Sequence, residues 1–175
     1  MNHVFREIQE GRDDPFSLCP LGRAALREAA EEKRELTAEL HQYIADLKWR
    51  SEVPETLPPH PFDAEQLDKR TPEENAVKRE EFDDRKVDLK RQWEQAHDRL
   101  WPKYESDVYS ASGKLIRRAG SDYDAHHIQP LTLGGENTVA NITPLHADVH
   151  YDKQGIHAPD SPYSKLVQRL EGNIP

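Results

Sequence analysis

The chain is short of the residues that staple a fold or anchor it in lipid. Its 175 residues include one cysteine, Cys19. A single thiol cannot close an intrachain disulfide or build a cysteine-rich zinc site. It fits folding in a reducing compartment, and within "SLCPLG" it reads as a packed small residue rather than a nucleophile. Long apolar runs are missing: none approaches the roughly 18 residues that read as a membrane-spanning helix. The opening "MNHVFREIQEGRDDPF" has no basic stretch followed by an apolar one, so no signal peptide is expected. Positive charge is scarce as well. The formal net charge is −9, which argues against a protein whose main business is coating nucleic acid. Residues 101–175 carry seven basic and nine acidic side chains, so most of the acidic excess lies before them. Hydrophobic residues make up 35% against 33% charged. The core must be modest, yet the apolar residues are too periodic for a disordered chain.

What is present is helical texture first. Residues 1–20 hold turn chemistry ("GRDDPF", "CPLG") and read as an irregular lead-in. From Leu21 to Trp49 the chain is rich in Ala, Glu, Leu, Lys and Arg, and no Pro or Gly follows Gly22. Leu36, Leu40, Tyr43 and Leu47 form one apolar stripe on this helix. "SEVPETLPPHP", Ser51 to Pro61, reads as a stiff proline-rich connector, and "FDAEQLDKR" as one short helix. A second long helix opens at Thr71, a side-chain cap, with Pro72 first inside and Glu74 completing a capping box. Its stripe is Phe82, Leu89, Trp93, Ala96 and Leu100, and Pro102 marks its end or a kink. The two stripes are expected to bury against each other as an antiparallel hairpin, or against the C-terminal part. Beyond Trp101 short β-prone runs appear ("DVYSASGKLIRRAG"), then a loop leading into a short helix. A last helix, "PYSKLVQRLEG", starts at Pro162 and is closed by Gly172.

The chemistry is concentrated in "YDAHHIQPLTLGGENTVANITPLHADVH", which holds four of the nine histidines. His146 and His150 are four apart, so on a helix they share a face. Two neutral imidazoles so placed can share a divalent ion; the plain alternative is two solvated side chains. The zinc-protease pattern is absent, because Ala147 stands where it needs a glutamate. His126 and His127 are neighbours, and neighbours on a regular strand face opposite ways. For both to face one site the backbone must leave regular geometry, and Pro130 with Gly134-Gly135 supplies turn chemistry nearby. A trio of His126, His146 and His150 leaves coordination positions open, as catalytic rather than structural metal sites do. His127 then remains as a general base. A metal beside a base suits phosphodiester hydrolysis.

The ordered elements "HHIQP", "LGG", "NIT" and "HADVH" resemble the motif of HNH, or ββα-metal, nucleases, nearest to the nuclease colicins and S-type pyocins. The resemblance runs from about Tyr104 to His157. It implies a two-stranded hairpin and a helix clasping one divalent ion (Zn²⁺, Ni²⁺, Mg²⁺ or Mn²⁺), with His126, His146 and His150 as ligands. His127 is implied as the base that activates water. Asn141 would hold the hairpin loop and so orient that base, and Asp124 would orient or polarise a histidine. Arg117, Arg118 and His157 are candidates for contact with substrate phosphate. Two departures stand out: the stretch from Asn141 to His146 is shorter than in those toxins, and the segment is far less basic. Binding to nucleic acid is therefore expected to be weak and salt-sensitive.

The expected fold class is α+β: a long N-terminal helical hairpin, a small ββα-metal nuclease core and a C-terminal helix. Residues 1–100 would be a helical arm, with its connector at 51–61, and residues 101–175 the nuclease domain. The resemblance implies an endonuclease acting on nucleic acid, double-stranded DNA in the first instance. It also implies an antibacterial toxin made in the bacterial cytoplasm and delivered into a target cell, with a cognate immunity protein as partner and a larger delivery protein as its source. The alternatives are a housekeeping, phage or defence HNH endonuclease acting in its own cell, and a non-catalytic metal-binding interaction module.

Overall fold

Residues 20–59, 61–110, 112–151 and 153–172 are described by a computed structural model. Cys19 and the lead-in before it lie outside the described residues. Helix α1 spans Pro20–Arg50, the expected helix lengthened by one residue at each end. The chain divides into residues 1–37 and 38–175. In the first unit, residues 23–35 are all exposed. In the second, α1 buries Leu40, Tyr43, Ile44 and Leu47. The connector is not a free spacer: Val53, Leu57 and Phe62 are buried in or beside it, and Pro54–Thr56 form a 3-10 turn. The expected short helix after it is a single 3-10 turn, Ala64–Gln66, with its own capping box from Asp63.

Helix α2, Pro72–His97, starts as its sequence dictates. The Glu74 amide donates to Thr71 Oγ1 at 3.2 Å, and the Thr71 amide donates to the Glu74 carboxylate at 2.9 Å. The helix stops short of Pro102. Asp98 adopts a left-handed conformation (φ 47°) and its N–H donates to the Glu94 carbonyl. Ala96 is exposed within the helix, and the reversal after it carries Leu100 away from the core, 80% exposed. The rest of the stripe packs on the C-terminal part. Leu89 and Trp93 are buried with Val53, Trp101, Tyr104, Val108, Tyr123, Ile142 and Ala147, and Phe82 packs against that cluster. Residues on both sides of position 100 thus share one core, and the chain from Ala38 onward forms one packing unit.

The remaining elements are short. β1 (Val108–Tyr109) and β2 (Leu115–Arg117) pair antiparallel. β3 (Asp124–His127) pairs antiparallel with β4 (Ile142–Leu145), in the register Asp124↔Leu145 to His127↔Ile142. Helix α3 (Ala147–Tyr151) follows β4 directly, and α4 (Pro162–Gly172) closes the described chain. Strand, loop, strand and helix therefore follow in the order the resemblance implied. Among the described residues no helix is long and apolar enough to cross a membrane.

The loop between β3 and β4 is tied down from several directions. The Gln129 amide donates to Asn141 Oδ1 at 2.7 Å, and Asn141 Nδ2 donates to the carbonyls of Gln129 (3.1 Å) and Glu136 (3.0 Å). Gly135 lies so close to the chain opposite that a Cβ there would sit 2.0 Å from the Gln129 carbonyl oxygen, which excludes any side chain. The Arg70 guanidinium donates to the carbonyls of Leu131, Gly134 and Gly135 and to the Glu136 carboxylate.

Candidate metal and catalytic site

Strand β3 and the segments after it bring three imidazoles together: His126, His150 and His157, with ligand-capable atoms all within 4.8 Å of one another. His126 is buried on β3, His150 is buried on α3, and His157 is exposed. His126 Nδ1 lies 3.3 Å from His150 Nε2. The ring of His157 is centred 4.8 Å from that of His150 and 5.3 Å from that of His126. This trio differs from the expected one, with His157 in the place foreseen for His146. His146 immediately precedes the first helical residue of α3, so it is outside the regular helix that would align it with His150. Its Nδ1 accepts the Asp148 N–H at 3.3 Å, and its ring packs edge-on against Tyr104 and Tyr123, at 4.9 and 5.2 Å.

The trio opens on a pocket of about 350 Å³ that His126 and His127 both line. The two neighbours thus reach one cavity. Helix α2 supplies another wall through Arg79, Phe82 and Asp83, and α4 contributes Tyr163. The His127 ring packs edge-on against Phe82 at 4.5 Å. Its Nε2 is 2.9 Å from Asn137 Oδ1, and Asn137 Nδ2 donates to the Lys78 carbonyl of α2 at 2.9 Å. On the other side of the strand, Tyr43 of α1 places its Oη 3.0 Å from His126 Nε2 and donates to the Ile128 carbonyl at 2.7 Å.

The surroundings of His126, His127 and His157 disfavour the charged form of each ring. Burial, then the nearby charges of His150, His157 and His127, push the His126 pKa well below the ordinary imidazole value. Burial also lowers that of His127, against a smaller opposing effect of Asn137. His157 is exposed at its edge, but its ring packs among His126, His150 and Tyr163, and this partial desolvation first, then His150 and Arg79, push it down to about 4. Desolvation disfavours the charged imidazolium. Asp124 behaves oppositely: burial alone would raise its pKa, but His150 and Arg117 outweigh that and hold it below the usual value. Arg117 donates from Nε and Nη2 to Asp124 Oδ1 at 3.0 and 2.7 Å. The other oxygen, Oδ2, lies 3.9 Å from His150 Nδ1, and both atoms are buried without a hydrogen bond.

Of the expected site residues, His126, His127 and His150 come together, and Asp124 stands behind His150. Asn141 bonds to backbone groups of the loop and is not the residue touching His127. Arg117 is paired with Asp124, whereas Arg118 is exposed and outside the pocket lining. Tyr43, Arg79, Phe82, Asn137 and Tyr163 were not foreseen. All except Asn137 lie outside the motif, and no local pattern marks them. Asn137 sits inside it, in "GGENT", where a buried polar side chain in a tight loop is the one available signal.

No protein-family model matches the chain, and no solved structure matches it. Among curated proteins, 101 residues are 38% identical to Toxin YxiD of Bacillus subtilis (strain 168). The matched part makes up 57% of this chain, and the chain spans only 18% of that toxin's length.

Proposed function

We propose that the protein is a metal-dependent endonuclease, the nucleic-acid-cleaving part of a toxin. The carrying observation is the juxtaposition in one pocket of a histidine trio able to hold a cation and a fourth, neutral histidine outside that trio. A structural site needs only the first.

The donor set suits a divalent transition ion. A tetrahedral Zn²⁺ with nitrogen bonds of about 2.0–2.1 Å separates its ligand nitrogens by about 3.4 Å. The 3.3 Å between His126 Nδ1 and His150 Nε2 fits that edge, and His157, with a ring nitrogen within 4.8 Å of both, offers the third ligand. Asp124 Oδ2 facing His150 Nδ1 is the usual outer partner of a ligating imidazole. Three protein ligands leave room for substrate and water. When bound, the cation neutralises the scissile phosphate and steadies the leaving oxygen.

His127 takes a proton from water as the water oxygen bonds to phosphorus and the bond from phosphorus to the leaving oxygen breaks. The leaving oxygen takes a proton from solvent, and His127 returns its own to solvent. Phe82 fixes the base ring. Arg79 makes no ion pair among the described residues and lines the pocket, so its guanidinium is available to the substrate phosphate. The similarity to a named toxin supports the effector role, action on a target cell, and a neutralising immunity protein as partner.

The decisive experiment incubates the full chain with supercoiled plasmid and Mg²⁺, Mn²⁺, Ni²⁺ or Zn²⁺, with and without EDTA, beside His127→Ala. Nicking should require the cation. It should fall by about 10²- to 10⁴-fold in the variant, the range of a lost general base, while metal binding survives. Intact plasmid and intact RNA with every cation would refute the reading.

A further inference from the structure

We propose that Tyr43 and Asn137 are positioning residues that set the proton positions of the two adjacent histidines. Each engages Nε2 as an N–H donor, leaving Nδ1 of His126 bare for a cation and Nδ1 of His127 bare to accept a proton from water. The inference rests on the nuclease reading for its purpose but not for its geometry.

The hydrogen bookkeeping has one solution at each ring. A tyrosine hydroxyl has a single hydrogen. The Ile128 carbonyl can only accept, and it lies 2.7 Å from Tyr43 Oη, so it receives that hydrogen. What Tyr43 presents to His126 Nε2 at 3.0 Å is therefore a lone pair, and Nε2 must carry the proton. The reverse assignment would point two lone pairs at each other across 2.7 Å in a buried setting. Tyr43 is fully buried and keeps its hydrogen, because burial raises its pKa well above the ordinary phenol value. The tautomer so chosen turns the lone pair of Nδ1 toward His150 Nε2, where the cation would sit.

At His127 the same reasoning runs through an amide. The Lys78 carbonyl can only accept, and it lies 2.9 Å from one terminal atom of Asn137. That atom must be the NH₂, so the other is the oxygen, and it faces His127 Nε2 at 2.9 Å. Nε2 again carries the proton. Asn137 is only 2% exposed, so water does not compete for either contact. His127 Nδ1 makes no hydrogen bond among the described residues. A side chain from the loop, aimed by a helix remote in sequence, thus chooses which nitrogen of the base is available. Asn141, for all its contacts to the same loop, touches neither ring nitrogen.

The test reads protons directly. The full chain, labelled with ¹⁵N-histidine and free of metal, is studied by long-range ¹H–¹⁵N correlation in mildly alkaline buffer, where imidazoles are neutral. Both His126 and His127 should show the Nε2–H form in the wild type. Tyr43→Phe should release His126 into a mixture of tautomers and leave His127 unchanged. Asn137→Leu should release His127 into a mixture of tautomers and leave His126 unchanged. In Zn²⁺ titrations Tyr43→Phe should weaken binding by about 10- to 100-fold, the usual effect of losing an outer partner of a ligand. Asn137→Leu should leave it within about twofold of wild type, since His127 is not a ligand. An Nδ1–H form at either ring in the wild type overturns the inference even if a variant fails to fold, as does a Tyr43→Phe protein whose tautomer and Zn²⁺ affinity are unchanged. Correct tautomers with neither plasmid nor RNA cleaved by any cation would sink the nuclease reading alone; cleavage with wrong tautomers would sink this inference alone.

Discussion

The segment from Asp124 to His157 and the helix α2 meet at the same pocket and contribute different things to it. The segment carries every candidate reactive atom: three ring nitrogens for a cation, a fourth ring for proton transfer, and a carboxylate behind one ligand. Helix α2 carries none of these. It provides a wall (Phe82), a cation lining the pocket (Arg79), a backbone carbonyl that aims Asn137 (Lys78), and a buried anchor (Trp93). A reactive group compressed into a short motif can be recognised by spacing. What makes it reactive comes from elsewhere in the chain and obeys no spacing rule.

If α2 is integral rather than an attached arm, breaking its anchor should unfold the motif as well. Trp93 is 1% exposed and packs edge-on against Trp101 at 5.1 Å. Trp93→Ala should cost about 3–5 kcal/mol, the range for a large buried aromatic. The loss should appear in denaturant titrations followed both by helix signal and by Zn²⁺ affinity. A stable variant that kept full metal affinity would separate the two regions.

Within the motif, the structure divides histidines that spacing alone would group. His150→Ala and His157→Ala should each weaken Zn²⁺ binding by more than the 10- to 100-fold typical of outer partners. His146→Ala should leave affinity near wild type and instead lower the melting temperature, because its ring packs on Tyr104 and Tyr123. Calorimetric titration of the three variants side by side tests this. Equal losses for His146→Ala and His150→Ala would restore the ligand set expected from sequence.

That division also shows where sequence reading stops. The start of α2 was legible because a capping box is a local device: Thr71, Pro72 and Glu74 act within one turn. The strand–loop–strand order around Asn141 was legible because its elements recur in a fixed order within one continuous stretch, Asp124 to Leu145. His146 was misleading because i,i+4 spacing aligns side chains only when both residues are helical, and the helix begins one residue later. Leu100 fell from its stripe for a similar reason, since a left-handed Asp98 ends the periodicity that would have buried it. Tyr43 and Arg79 were invisible because their partners lie far along the chain: 83 residues separate Tyr43 from His126.

A smaller effect is expected at the mouth of the pocket. Arg79→Ala should lower DNA affinity about uniformly across sequences, because a guanidinium on phosphate carries no base readout. The slope of log affinity against log salt should become shallower by about one unit, the signature of one lost phosphate contact. Fluorescence anisotropy over a salt series, on His127→Ala background to prevent cleavage, measures both. An unchanged slope would remove Arg79 from the substrate path and return the phosphate role to the motif side.

The smallest effect concerns the tether between the two regions. Glu136, at the end of the Gly-Gly turn, accepts from Lys78 of α2 at 2.7 Å and pairs with Arg70. The Lys78 contact first, and Arg70 after it, hold the Glu136 pKa below the ordinary carboxylate value. A carboxylate with a lowered folded-state pKa contributes stability that is fully present above its unfolded value and is lost as pH falls through the folded one. The Glu136 side chain is 52% exposed, so solvent screens the pair and its worth is at most about 1 kcal/mol. Glu136→Gln should therefore melt slightly lower than wild type near neutral pH, and the difference should close as the solution is acidified below the carboxylate range. A difference that persists in acid would mean that the amide disturbs the loop sterically and that charge does not join the turn to α2.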